Sequence, residues 1–260
     1  MTQHDSGQRI WLTGASSGIG AALAEVLLQQ GHRLAVSARN TTALQALADR
    51  FPQQVLLAPG DLTDAAQVKA IGERIGQRWG ALDQVILNAG TCEYIESRQF
   101  EAAMIERVMR TNVFATSHCI EAALPLLRLS PAPHLVGVAS SVTYLPLPRA
   151  EAYGASKAAM RYLFEALRID LAADGIAVTL VSPGFVDTPL TRGNDFPMPM
   201  RWPADKAAQY IARRLPKRPH EIAFPTPFIA TLKLLASLPT GLQLAIGKRL
   251  ARSGKQDSNA

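Results

Sequence analysis

The stretch EAYGASKAAMRYLFEALRIDL carries Tyr153 and Lys157 four residues apart within a helical pattern of apolar spacing. Residues at i and i+4 share a helix face, so a phenol and an ammonium are expected to point into the same space. A free tyrosine titrates near ~10, and acid/base work near neutrality asks for a value about three units lower, worth roughly 4 kcal/mol. A neighbouring lysine cation is the expected source of that shift.

A second chemical signal lies near the N-terminus, where TGASSGIG occupies residues 13–20 and a helical pattern, AALAEVLLQQG, follows. Gly14 lets the chain turn sharply, Gly18 lets backbone approach a pyrophosphate, and Gly20 allows close packing of the helix. With Ser16, Ser17 and Ile19 between them, the backbone N–H groups at the helix start would face phosphate charge. The spacing is G-x3-G-x-G, and its place between a first strand and a first helix is what makes it specific.

Positioning these groups requires a frame, and the chain supplies one. Short apolar or β-branched runs at 10–13, 33–38, 54–59, 83–89, 134–140 and 176–182 alternate with helical patterns, several of which end at glycine. A seventh strand is expected at IAFP, 222–225. The order predicts an α/β fold of Rossmann type: a doubly wound parallel sheet of about seven strands flanked by helices. Residues 1–260 are expected to form a single domain, with a substrate lid at 186–215 and a helical C-terminal extension at 226–252.

Composition narrows the function. The 260 residues are 48% hydrophobic, enough for a substantial core, and carry a net charge of +6. A basic balance suggests a polyanion, yet the segment from Arg213 onward holds nine basic and two acidic residues, while the first 212 hold 18 and 19. No nucleic-acid partner is therefore expected for the main body. Cys92 and Cys119 are too few for a disulfide framework and fit a reducing compartment, and no metal site is expected from the scattered histidines. With no leader pattern in MTQHDSGQR, the expected location is cytoplasmic.

Taken together, these features resemble the short-chain dehydrogenase/reductase family, whose glycine motif is matched by Thr13, Gly14, Gly18 and Gly20. Asp61 and Leu62 stand after the third strand, where the resemblance implies adenine contacts. The family's NNAG appears as Leu87-Asn88-Ala89-Gly90, and its PG motif as Pro183-Gly184-Phe185-Val186-Asp187-Thr188. Val186 backbone and the Thr188 hydroxyl would then orient a nicotinamide carboxamide. The resemblance also implies Ser140 as the group polarising a carbonyl, Tyr153 as acid/base, Lys157 holding the ribose and lowering the tyrosine pKa, and Asn112 in a proton relay. Ser141 stays open as the alternative, because Thr143 stands where the family has a glycine three residues after its serine.

Ala38 occupies the place of the acidic residue found in NAD-using members, and Arg39 follows with a guanidinium suited to a 2′-phosphate. NADP(H) is expected, with NAD(H) possible. The implied reaction is hydride transfer between a ketone or aldehyde and an alcohol, on an apolar small-molecule substrate. Tyr94, Leu145, Leu147, Phe185, Phe196, Met198, Met200 and Trp202 are the candidates to line its pocket or pack the lid. A catalytically silent nucleotide-sensing or scaffolding protein is the rival reading. A homo-oligomer, dimer or tetramer, follows by analogy, and the basic, apolar C-terminal segment allows lid packing, subunit contact or peripheral membrane contact.

Overall fold

The computed structural model describes residues 7–96, 99–192, 194 and 196–256, without the side chains of 250–256. The first residues of MTQHDSGQR and the side chains of Arg252 and Lys255 thus lie outside the described residues.

Six strands follow the apolar runs: β1 Arg9–Thr13, β2 Arg33–Ser37, β3 Val55–Leu57, β4 Gln84–Leu87, β5 His134–Val138 and β6 Ala177–Pro183. Two short strands, β7 Val186–Asp187 and β8 Trp202–Pro203, pair with each other, and β9 Glu221–Phe224 closes the main sheet. That sheet has seven strands in the order β3-β2-β1-β4-β5-β6-β9, every pairing parallel. Both faces are covered, which is why the strands read as continuous apolar runs without alternation.

Helices α1 Gly18–Gln29 and α2 Thr41–Arg50 lie on one face, with α7 Ala204–Arg214. On the other lie α3 Ala65–Trp79, α5 Ala115–Leu127 and α6 Glu151–Asp170; α4 Ala102–Met109 precedes α5. Residues alternate between the two layers within a strand: Ile10 and Leu12 join the first, Trp11 the second. The strand order reverses between β1 and β4, and a cleft at the C-terminal ends of such strands is where ligands bind in open α/β sheets.

Around Asn112 the chain is not one continuous α-helix: α4 and α5 are joined by a π-helical turn, Arg110–Phe114. In the 186–215 excursion, α7 buries Ala207, Ala208, Ile211 and Ala212 within the first core layer, and Trp202 stacks on Phe224 at 5.1 Å. Among the described residues of this excursion, Val186 and Thr188 to Thr191 line the cleft. After β9 come α8 Thr226–Ala236 and α9 Thr240–Gln256. α8 buries Ile229 and Leu232, whereas no residue of α9 is buried among those with described side chains.

Candidate active site

The turn after β1 is tied to the turn after β4. Thr13 Oγ1 accepts from the Asn88 and Ala89 N–H groups at 3.0 and 3.1 Å, and Asn88 Nδ2 donates to the carbonyls of Thr13 and Gly14 at 3.2 and 3.3 Å. Gly18 has φ +55°, and a Cβ there would come 3.0 Å from Thr188 Cγ2. At Gly20 a Cβ would come 2.1 Å from the Gly14 carbonyl oxygen, so only glycine lets α1 start this close to the strand. Ser17 is the N-cap of α1 in extended conformation and makes no side-chain cap, leaving the first-turn N–H groups to a ligand.

These turns form one wall of a cleft of about 870 Å³. It is lined by Gly14, Ser16, Ser17, Gly18, Ile19, Arg39, Asp61, Leu62, Asn88, Ala89, Gly90, Ser140, Tyr153, Lys157, Pro183, Gly184, Val186 and Thr188, all expected from the sequence. Two expected residues stand behind it: Gly20, facing Gly14, and Asn112. Ser141 is buried and outside the lining, so of the two serines only Ser140 faces the cleft.

Tyr153 and Lys157 lie near the start of α6, and Ser140 at the end of β5 caps a single 3-10 turn, with its Oγ accepting from Val142 N–H at 3.2 Å. The Ser140 side chain faces the same cleft as the Tyr153 phenol. Burial pushes the phenol above its ordinary value, Ser140 acting in the opposite direction. Lys157, the expected source of a lower value, follows one turn later on α6. Its Nζ stands 5.8 Å from the Tyr153 ring centroid and donates to the Val138 carbonyl at 2.8 Å. The same burial lowers the lysine to about 8. Three donors with one backbone acceptor leave two hydrogens for a ligand.

Asn112 is fully buried in the π-helical turn. Its Oδ1 accepts from Thr91 N–H at 2.7 Å, and its Nδ2 donates to the Thr91 carbonyl and to Ser156 Oγ, both at 2.9 Å. A Cβ at Gly90 would come 3.1 Å from Asn112 Oδ1 and 3.4 Å from Lys157 Nζ, so Asn112 and the lysine meet behind this glycine. Thr91 is thus a site residue that sequence reasoning missed; its role uses backbone groups, which leave no mark in residue type. Arg107, Arg110, Thr111 and Glu93, also missed, line the opposite wall.

At the far end of the cleft, Asp61 Oδ1 accepts from Thr63 N–H and Oγ1 at 3.0 and 2.9 Å, which holds its carboxyl below the ordinary value with help from the Arg39 charge. Of the apolar candidates, Tyr94, Phe196 and Phe185 form a chain of ring contacts with centroids 5.3 and 6.2 Å apart, extended by Phe228 of α8 at 5.5 Å from Phe185. Leu145 is buried, Met200 is exposed, and Trp202 packs on Tyr210 and Phe224. Cys92 is half-buried, with its thiol pushed up by burial. Among the described residues, no group of three His, Cys, Asp or Glu side chains could hold a metal ion.

An extended dinucleotide fits this geometry: uncapped donors at the start of α1 for a pyrophosphate, glycines that clear its path, and a buried ammonium with two hydrogens to spare at the other end. A family model for short chain dehydrogenases matches residues 8–196. The chain therefore belongs to the short-chain dehydrogenase family. It is 33% identical over 243 residues to an "Uncharacterized oxidoreductase" of Myxococcus xanthus, covering 92% of this chain and 96% of that one. An 11-beta-hydroxysteroid dehydrogenase A of Sesamum indicum is 34% identical over 193 residues, covering 72% of this chain and 55% of that protein. Among solved structures, a Burkholderia phymatum short chain dehydrogenase/reductase in complex with NAD matches with a TM-score of 0.80 at 24% identity, over 90% of this chain and 94% of that one. A Streptomyces avermitilis short-chain dehydrogenase matches with a TM-score of 0.77 at 24% identity, over 97% and 98%. The chain is an oxidoreductase of this family.

Proposed function

We propose that this protein is an NADP(H)-dependent oxidoreductase that interconverts a ketone or aldehyde and an alcohol. The observation that carries the reading is the convergence of Ser140, Tyr153 and Lys157 on one cleft with the glycine turn. Bound there, the dinucleotide supplies or takes up the hydride. Gly14, Ser16, Ser17, Gly18 and Ile19 would hold its pyrophosphate, Asp61 and Leu62 its adenine, Asn88, Ala89, Gly90 and Lys157 the adjoining ribose, and Pro183, Gly184, Val186 and Thr188 its carboxamide.

Within that frame Ser140 donates to the carbonyl oxygen and Tyr153 gives it a proton. A phenol kept neutral by burial retains that proton near neutrality, which suits reduction. Lys157, lowered to about 8, can return a proton to the tyrosine, and Asn112 behind Gly90 orients the path by which the lysine is recharged. The rival, a silent nucleotide sensor, predicts dinucleotide binding with no turnover on any carbonyl.

Arg39 supports the choice of cofactor. Ala38 is buried and offers no acceptor to a ribose 2′-hydroxyl, while the exposed Arg39 guanidinium lines the same end of the cleft. Ala38→Asp with Arg39→Ala is expected to shift the NADPH/NADH ratio of kcat/KM toward NADH by about a hundredfold, as loss of a charge-assisted phosphate contact implies. An unchanged ratio would show that Arg39 is not the determinant. The aromatic chain from Tyr94 to Phe228 favours a bulky, weakly charged carbonyl compound, and the sesame relative's name points to an apolar substrate for that protein.

α8 packs Phe228 on Phe185, which supports a place for this helix on the substrate side. α9 carries exposed Leu242, Leu244 and Lys248, a composition suited to an anionic membrane. No described helix is long and apolar enough to cross one. A chain ending at Pro239 is expected to lose salt-sensitive co-sedimentation with phosphatidylserine vesicles and keep its fold; binding unaffected by the truncation refutes the membrane contact. A second copy would dock on exposed Phe114, Tyr162 and Ile169 at the α5–α6 side. Two free cysteines support a reducing, cytoplasmic setting.

A further inference from the structure

Behind the Ser140 turn runs a polar network that the proposed proton chemistry does not use. Glu221 of β9 accepts from Tyr144 Oη at 2.6 Å, from Ser182 Oγ at 2.7 Å and from the Arg161 guanidinium. That guanidinium also reaches Ser182 Oγ and Glu165, each at 3.0 Å, and its Nε donates to Thr143 Oγ1 at 2.9 Å. Thr143 Oγ1 in turn donates to the Ser140 carbonyl at 2.9 Å. Arg161 Cζ and Lys233 Nζ each lie 4.9 Å from the Tyr144 ring centroid, bringing α8 into the same cluster.

The placement of Arg161 gives the network a purpose beyond tying β9 to α6. Arg161 follows Lys157 by four residues and Tyr153 by eight, so it shares the helix face that carries both. Its Nε then reaches across to the turn that carries Ser140. One guanidinium and one threonine hydroxyl thus link the turn that carries Ser140 to the helix that carries Tyr153. Thr143 stands where the resembled family has a glycine, which has no side chain to make either bond.

We propose that Arg161, anchored by Glu221, is a positioning residue that acts through Thr143 to hold Ser140 in register with Tyr153. The inference rests on the carbonyl–alcohol reading of the site. Catalytic groups displaced by about 1 Å can lose on the order of a hundredfold in rate, so a lost anchor should appear in kcat before it appears in cofactor affinity.

The test separates the hydroxyl from the shape of residue 143. In the full-length protein, Thr143→Val keeps the volume and removes both hydrogen bonds; Thr143→Ser keeps the bonds and removes a methyl group. The expected result is a fall in kcat of about tenfold or more for Thr143→Val and Arg161→Met. For both, NADPH affinity stays within about twofold, since neither residue lines the cleft. Thr143→Ser restores kcat to near the parent value. Amide exchange over residues 140–147, measured without cofactor, is expected to rise severalfold in Thr143→Val and to stay unchanged in Thr143→Ser. Parent-like kcat in Thr143→Val, or equal losses in the valine and serine variants, overturns the proposal. If the parent protein reduces no carbonyl compound, the functional reading fails instead. The exchange arm still decides the positioning role, and unchanged protection in Thr143→Val refutes it.

Discussion

Tyr153→Phe is expected to lower kcat and kcat/KM together by about a thousandfold, with NADPH affinity changed by less than about twofold. The substitution removes one hydroxyl and leaves the ring, so α6 keeps its packing and the cleft its shape. On the proposed mechanism, what is lost is the proton donor at the carbonyl oxygen. An interaction made only in the transition state lowers both kinetic constants equally, whereas one made equally with bound substrate would raise KM alone. Stopped-flow turnover and fluorescence titration of NADPH separate the two, and a variant that retains more than about a tenth of the parent activity would remove Tyr153 from the proton-transfer step.

The second large effect belongs to Lys157. Lys157→Met is expected to reduce turnover by at least about a hundredfold and, unlike Tyr153→Phe, to weaken NADPH binding, because the ammonium has donors to spare for the ribose. It should also change stability in a direction that identifies the cause. The folded-state pKa is about 8, below the unfolded lysine value of about 10.4. Between these values the unfolded chain binds more protons, so the parent protein gains stability from this group as pH rises. Below pH 8 the cost of holding the buried charge is fully present, on the order of 3 kcal/mol. The methionine variant avoids it, so its melting temperature relative to the parent is highest near pH 7 and that advantage shrinks toward pH 10. A pH-independent difference would mean that burial is not what perturbs the lysine.

How far the chain could be read without coordinates depended on the range of the interactions involved. The sheet was legible because strands covered on both faces carry unbroken apolar runs, as in RLAVS and AVTLVSP. The phosphate turn was legible because Gly14, Gly18 and Gly20 each answer a local demand of the backbone. Tyr153 and Lys157 were legible because helix periodicity fixes their shared face. The π-helical turn at Arg110–Phe114 was not, since no residue type encodes it. It coincides with the buried amide of Asn112, whose partners, Thr91 and Ser156, come from distant parts of the chain. Likewise the direction of the Tyr153 shift depended on the depth of the cleft, which spacing along a helix does not report. Phe228 and the Glu221–Arg161–Thr143 network escaped notice for the same reason: α8 and β9 reach the site only through the closed sheet.

The basic character that first suggested a polyanionic partner proves to lie away from this chemistry. Of the seven basic residues beyond position 212 whose side chains are described, none lines the cleft, and Lys233 lies against the Tyr144 ring. The aromatic contacts of Tyr94 with Phe196 and of Phe185 with Phe228 involve none of these basic residues.

The most direct measurement is transfer of deuterium from NADPH labelled at the reactive nicotinamide carbon, across a panel of ketones and aldehydes graded in size and polarity. The account predicts carbonyl-dependent NADPH oxidation, strongest for bulky apolar compounds, with the label on the carbinol carbon of the product. Tight NADPH binding without label in any alcohol would contradict it and leave the nucleotide-sensing alternative standing.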